Sequence, residues 1–218
     1  MFRKPRALDA VECRVLGALL EKEQNTPEYY PLTVPALVAA ANQKTNREPV
    51  LDLSEPEVLA ALDRLFKDVL VWRSPGARSV KWSHNLDRRW QLQPATKAAI
   101  TLLLLRGDQT AGEIRGRAER LHPFAAIADA EAALHLLAEG DEPLAELIPR
   151  SPGQKESRWR HLADVAADHT GASPATRGMV VPAAATPLGT VRDLADRIAK
   201  LEERVERLEQ AQERRRDP

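Results

Sequence analysis

Residues 73–86, RSPGARSVKWSHNL, and residues 150–162, RSPGQKESRWRHL, spell nearly the same phrase twice. A shift of 77 residues, from Arg73 to Arg150, lays Ser74, Pro75, Gly76, Trp82 and His84 on Ser151, Pro152, Gly153, Trp159 and His161. The same shift lays Thr33 on Thr110 and Leu37 on Ile114. ALDRL from Ala61 matches ALHLL from Ala133 at a shift of 72, so the second copy has gained a few residues before its RSPG. The chain is a tandem duplication, and the fold of one copy predicts the fold of the other.

Each copy reads as three helices followed by a hairpin. In the first, Asp9 caps a helix and Glu12 completes a capping box, with Leu8 and Cys13 as the hydrophobic staple and Leu16, Leu19 and Leu20 continuing the apolar face. A second helix opens at Thr33 and runs through Leu37, Val38 and Ala41; a third opens at Ser54 with Glu57, stapled by Leu53 and Val58. The strand VLVWR then meets Ser74-Pro75-Gly76, where proline sets φ and glycine supplies the positive φ of a type II turn. On the returning strand, Val80, Trp82 and His84 share one face by period-two alternation. The second copy has a helix around Ala98 to Arg106, one capped by Thr110 with Glu113, one from Pro123 to Glu139, and its own hairpin. Three helices and a two-stranded wing make a winged helix-turn-helix. The expected fold is therefore mainly α with small β-hairpins (α+β): winged-helix domains at residues 1–92 and 93–163.

Beyond them, residues 164–189 are rich in Ala, Pro, Gly, Thr and Ser and read as a flexible linker. Residues 190–216 carry heptads, with Val191, Ile198 and Val205 at a and Leu194, Leu201 and Leu208 at d. β-Branched a positions with leucine at d favour two parallel strands, so these six residues are the expected homodimer contacts. Arg197 and Arg204 at g face Glu202 and Glu209 at e of a second chain. The alternative is a single amphipathic helix packed on its own domain.

Three stretches, TPEYYPLTVPALVAAANQKTNREPVLDLSEPEV, LLLLRGDQTAGEIRGRAERLHPF and RSPGQKESRWRHL, occur in that order and resemble the bacterial YceH-like proteins, a family of unknown function. The resemblance covers roughly residues 8–162. It implies tandem winged-helix domains and a short coiled-coil tail, and it brings no activity or catalytic residue with it.

Composition narrows the function. Lys+Arg and Asp+Glu both number 32 in 218 residues, so the formal net charge is zero. Dedicated nucleic-acid binders are usually basic, and any nucleic-acid surface here must be local. The single cysteine, Cys13, reads as a small buried hydrophobe and fits a reducing, cytoplasmic compartment. No run reaches the length of a membrane span. His84, His122, His135, His161 and His169 lack the ligand spacing of a zinc site, and no phosphate loop or nucleophile motif occurs, so neither catalysis nor a metal or other cofactor is expected.

The charged residues point to loops and wings rather than to the third helices. Glu55 and Glu57 open one third helix, and Asp129, Glu131 and Glu139 dominate the other, a poor match to phosphates; Arg64 and Lys67 come late in the first, offset by Asp63 and Asp68. The hairpins supply Arg73, Arg78 and Lys81 in one copy and Arg150, Lys155, Arg158 and Arg160 in the other. The 42–49 connection adds Lys44 and Arg47 for phosphates, with Asn42, Gln43 and Asn46 as candidates for base edges. That connection reads equally as local structure, because Asn and Thr close turns on nearby backbone. Trp82, Trp159, His84 and His161, at equivalent positions of the copies, read as core. The expected function is a DNA-binding or transcription-related dimer contacting double-stranded DNA; the alternative is a non-enzymatic adaptor for a protein partner.

Overall fold

The computed structural model describes residues 6–76, 79–150 and 156–164. Arg78, Lys155, the linker after Asp164 and the heptad positions Val191 to Leu208 lie outside them. The described residues form seven α-helices and two antiparallel hairpins. In chain order these are α1 (Ala10–Asn25), α2 (Val34–Ala41), α3 (Glu55–Lys67), β1 (Val71–Pro75), β2 (Val80–His84), α4 (Leu86–Arg89), α5 (Pro94–Arg106), α6 (Ala111–Arg117), α7 (Ile127–Ala138), β3 (Ala145–Ile148) and β4 (Arg158–His161). A single 3-10 turn, Pro27–Tyr29, precedes α2.

The capping chemistry sets the helix starts. Asp9 accepts from the Glu12 amide at 2.8 Å while Glu12 accepts from the Asp9 amide at 2.9 Å. The same reciprocal pair recurs at Thr110 and Glu113, at 3.1 and 2.9 Å. α1 and α5, the first helices of the two copies, are buried almost all round; α5 is mostly apolar, whereas α1 takes Glu12, Arg14 and Glu21 inside with it. They pack on each other, α2 and α3 pack on α1, and α6 and α7 pack on α5. The buried side chains form one continuous core, with Leu16, Leu19 and Leu20 of α1 and Ile100 and Leu103 of α5 inaccessible to solvent. Each such side chain contributes about 1.5–3 kcal/mol. At the seam Gly17 has no room for a side chain, since a Cβ there would lie 2.8 Å from Leu105 Cδ2 and 3.1 Å from Leu104 Cβ. At the far end of the unit the Leu8 amide donates to the Ala163 carbonyl at 2.9 Å.

The hairpins match one another residue for residue. β1 pairs with β2 as Val71↔His84, Trp72↔Ser83, Arg73↔Trp82, Ser74↔Lys81 and Pro75↔Val80. β3 pairs with β4 as Ala145↔His161, Glu146↔Arg160, Leu147↔Trp159 and Ile148↔Arg158. One further bridge joins each hairpin to the chain ahead of its copy's second helix, Leu32↔Trp82 and Gln109↔Trp159. Trp82, Trp159, His84 and Cys13 are buried.

Three local expectations need correction. β1 runs through Pro75 and Gly76 has no positive φ, so no type II turn forms at Ser74-Pro75-Gly76; glycine is needed because a Cβ would lie 2.4 Å from Ser79 O. The third helix of the second copy starts at Ile127 rather than Pro123, where Asp129 reaches back to the Ala126 amide at 2.8 Å. Val69 is not in a strand but in the turn after α3. It has left-handed geometry with φ 59°, its amide donating to Phe66 O at 3.0 Å and the Leu70 amide to Leu65 O at 2.9 Å. This is a Schellman ending with valine where glycine is favoured. Val69→Gly is expected to raise stability by about 1 kcal/mol, because relief of a β-branched left-handed residue exceeds glycine's entropy cost. A higher urea midpoint at unchanged m would bear this out, and a lower midpoint would show that the exposed valine packs usefully.

Candidate nucleic-acid interface

The 42–49 connection is mostly exposed, but Arg47 turns inward from it. Helix α2 ends with orphan carbonyls, and arginines from two directions satisfy them. Arg47, 5% exposed, donates to Ala40 O at 2.9 Å and to both oxygens of Glu21, at 3.0 and 2.5 Å. Arg14 donates to Ala41 O at 3.2 Å and to Pro49 O at 2.7 Å. Asn42 forms a closed pair with the Leu53 backbone, donating and accepting at 2.8 Å. Gln43 Oε1 accepts from Arg47 at 3.1 Å, and Asn46 Oδ1 accepts from Arg106 at 2.8 Å. The expectation that Asn42 and Arg47 read bases and phosphates is therefore corrected, because both side chains are consumed in holding the loop. The acceptors of Gln43 and Asn46 are likewise engaged. Lys44 alone of the set is exposed with no described partner.

On α3, Arg64 is also taken. It donates to Glu12 at 2.7 Å and to Asp9 at 2.6 Å, so its charge is shared with two carboxylates of its own fold. Burial would raise the Glu12 carboxyl, but hydrogen bonds from Arg6, the Asp9 amide and Arg64 outweigh it and hold the group down at about 2. Lys67 stays exposed, and the outward face of α3 carries Leu59, Asp63 and Phe66.

The two hairpins differ in electrostatics. In the second, Arg160 donates to both oxygens of Asp108 at 3.2 and 3.0 Å, with Glu146 at 4.0 Å across the strands. Arg158 donates to Asp108 O at 2.8 Å and to Glu113 at 2.7 Å. Both arginines are neutralised by their own fold, against the expectation that they meet phosphates. Arg150 is exposed beyond β3. In the first copy the positions equivalent to Asp108, Glu113 and Arg160 hold Pro31, Ala36 and Ser83, and hairpin register puts Trp72 where Glu146 stands. Lys81, equivalent to Arg158, has no carboxylate partner among the described residues. Arg73 lies over the Phe66 ring at 4.8 Å from its centroid. Trp72 carries no sequence signal of its own, but aligning the copies at the shift of 77 sets Pro31 and Ala36 against Asp108 and Glu113.

A second polar cluster had no sequence signature. Ligand atoms of Glu23, His84 and Asp87 lie within 4.8 Å of one another. Lys97 sits among them, bonding Asp87 at 2.7 Å and also Glu23. His84 Nδ1 accepts the Leu86 amide at 3.2 Å, which leaves Nε2–H to donate to Glu23 at 2.8 Å. Burial would raise Glu23, but His84 and Lys97 outweigh it and hold the carboxyl at about 2. A cationic side chain already occupies the place a metal would take, so the cluster ties α1, β2 and α5 together.

A family profile described as "Protein of unknown function, DUF480" matches residues 8–154. The chain belongs to this family. The DUF480 chain is 51% identical over 157 residues to a UPF0502 protein of Chromobacterium violaceum, covering 71% of each chain. It is 45% identical over 199 residues to a UPF0502 protein of Geobacter metallireducens, covering 91% of this chain and 88% of the relative. A UPF0502 protein of Azoarcus sp. is 48% identical over 203 residues, covering 92% and 86%. Among the described residues of the DUF480 chain no helix is long and apolar enough to cross a membrane.

Proposed function

We propose that this DUF480 chain is a non-enzymatic nucleic-acid-binding protein that uses the hairpin of its first copy as a DNA-contacting wing. In each copy the order is helix, bridging strand residue, two helices and hairpin, which supports the winged-helix reading. One observation carries the function: the fold seals the cations of its second hairpin with Asp108 and Glu113 and leaves those of the first unsealed. Lys67, Arg73 and Lys81 are the phosphate contacts; Lys44 and Arg150 are peripheral. Dimerisation through the heptads from Val191 to Leu208 doubles a small footprint.

Three or four phosphate contacts give a slope of about −3 to −4 in log K against log salt. A mobility shift with random-sequence duplex DNA is expected to show weak binding at low salt that vanishes as salt rises. The triple variant Lys67→Ala, Arg73→Ala, Lys81→Ala should flatten the slope, while the pair Arg158→Ala, Arg160→Ala should leave it unchanged. Binding indifferent to the triple variant would reject this surface.

A second reading has its own support. The outward side of α3 combines exposed Leu59 and Phe66 with Glu55 and Asp63, which suits a polypeptide better than a groove. No duplex binding at low salt, with a polypeptide retained instead, would favour this adaptor.

A further inference from the structure

The outer face of the first hairpin holds Trp72, Ser74, Lys81 and Ser83, since directly opposed residues share a face. Trp72 is 50% exposed, whereas Trp82, Trp90 and Trp159 are 4% exposed or less. The chain has four tryptophans, so Trp72 is the one that meets solvent. Its place in the second hairpin is filled by Glu146, so the scaffold itself does not require an aromatic there. Exposing half of an indole sacrifices burial that the fold gains from the other three.

The neighbours identify what the ring is for. Lys81 is the diagonal neighbour of Trp72, about 7–8 Å away along the sheet, a reach its side chain spans. Ser74 and Ser83 are short and polar, so the indole stands among hydroxyls and a cation rather than inside an apolar patch. A protein hot spot is ringed by further contacts that exclude water, and this face offers none on the hairpin. A flat anionic ligand fits better: a nucleobase stacks on the indole while Lys81 takes an adjacent phosphate. In a closed duplex the base faces are occupied by neighbouring bases. Only an unpaired base presents one. Resting on the nucleic-acid reading above, we propose that Trp72 and Lys81 form a stacking site for an unpaired nucleobase, which makes single-stranded nucleic acid the preferred ligand over fully paired duplex.

The test uses the full chain with labelled oligo-dT and a random-sequence duplex at equal low salt, read by anisotropy and by tryptophan emission. Oligo-dT is expected to bind more tightly than duplex, to quench the emission of Trp72 and to protect it from iodide. Trp72→Ala should weaken oligo-dT binding roughly ten-fold, with Trp72→Phe restoring most of it. Both variants should keep the wild-type unfolding midpoint and duplex affinity. If duplex binds through Lys67, Arg73 and Lys81 while oligo-dT binds no better and Trp72→Ala changes nothing, the stacking site is wrong and the DNA-wing reading survives. If neither oligonucleotide binds, both fall. Capture of a polypeptide by this face, competing with no nucleic acid, also overturns the proposal.

Discussion

Arg47→Ala is expected to cost about 3–5 kcal/mol of folding stability, the usual penalty for removing one partner of a buried ion pair. The Arg47 side chain is inaccessible to solvent and Glu21 is 9% exposed, so the loss strands a carboxylate beneath α2. It also frees the Ala40 carbonyl and the Gln43 amide oxygen from their donor. Arg47→Met fills the volume but leaves Glu21 with only the distant Lys22 Nζ at 3.9 Å, and should cost nearly as much. Combining it with Glu21→Leu removes the stranded charge and should recover part of the loss, the remainder reflecting Ala40. Urea unfolding of the three variants measures each difference. Folded Arg47→Ala should keep its nucleic-acid affinity; a stable variant that had lost binding would return Arg47 to the reading surface.

Gly17→Val should cost about 3 kcal/mol, at the upper end of overpacking penalties. Its first added carbon already lies inside contact distance of Leu105 and Leu104, and the two further methyls have to push α1 and α5 apart. Gly17→Ala should cost less, because alanine recovers about 1 kcal/mol of helix propensity against the same clash. Gly116 supplies the control. It is the penultimate residue of α6, exposed, with nothing within 4 Å of an added Cβ, so Gly116→Ala should stabilise by about 0.5 kcal/mol. Wild-type stability for Gly17→Val would mean the two copies do not meet closely at this residue.

Local chemistry made much of the fold readable. The capping pairs Asp9–Glu12, Ser54–Glu57 and Thr110–Glu113 announce helix starts within a few residues, and all three form. Where that chemistry is thin the sequence is silent: α4 follows β2 with no side-chain cap at Asn85 to announce it. The hairpin tip misled for another reason, since Pro75 and Gly76 suit a turn in isolation while the ladder to Val80 keeps Pro75 extended. The site was harder because charge partners are distant in sequence. Arg47 meets Glu21 across 26 residues, and Arg160 meets Asp108 across 52. No spacing rule links such pairs, so basic residues look free until the chain is folded. The duplication was the one usable clue, since it sets Pro31 and Ala36 against Asp108 and Glu113.

The tight crossing at Gly17 also governs how the molecule meets anything long enough to touch both copies. Two hairpins mounted on closely packed central helices keep a constant span rather than acting as a pair of jaws. Such a ligand is selected by its own dimensions, and complex formation forfeits no hinge freedom in the protein.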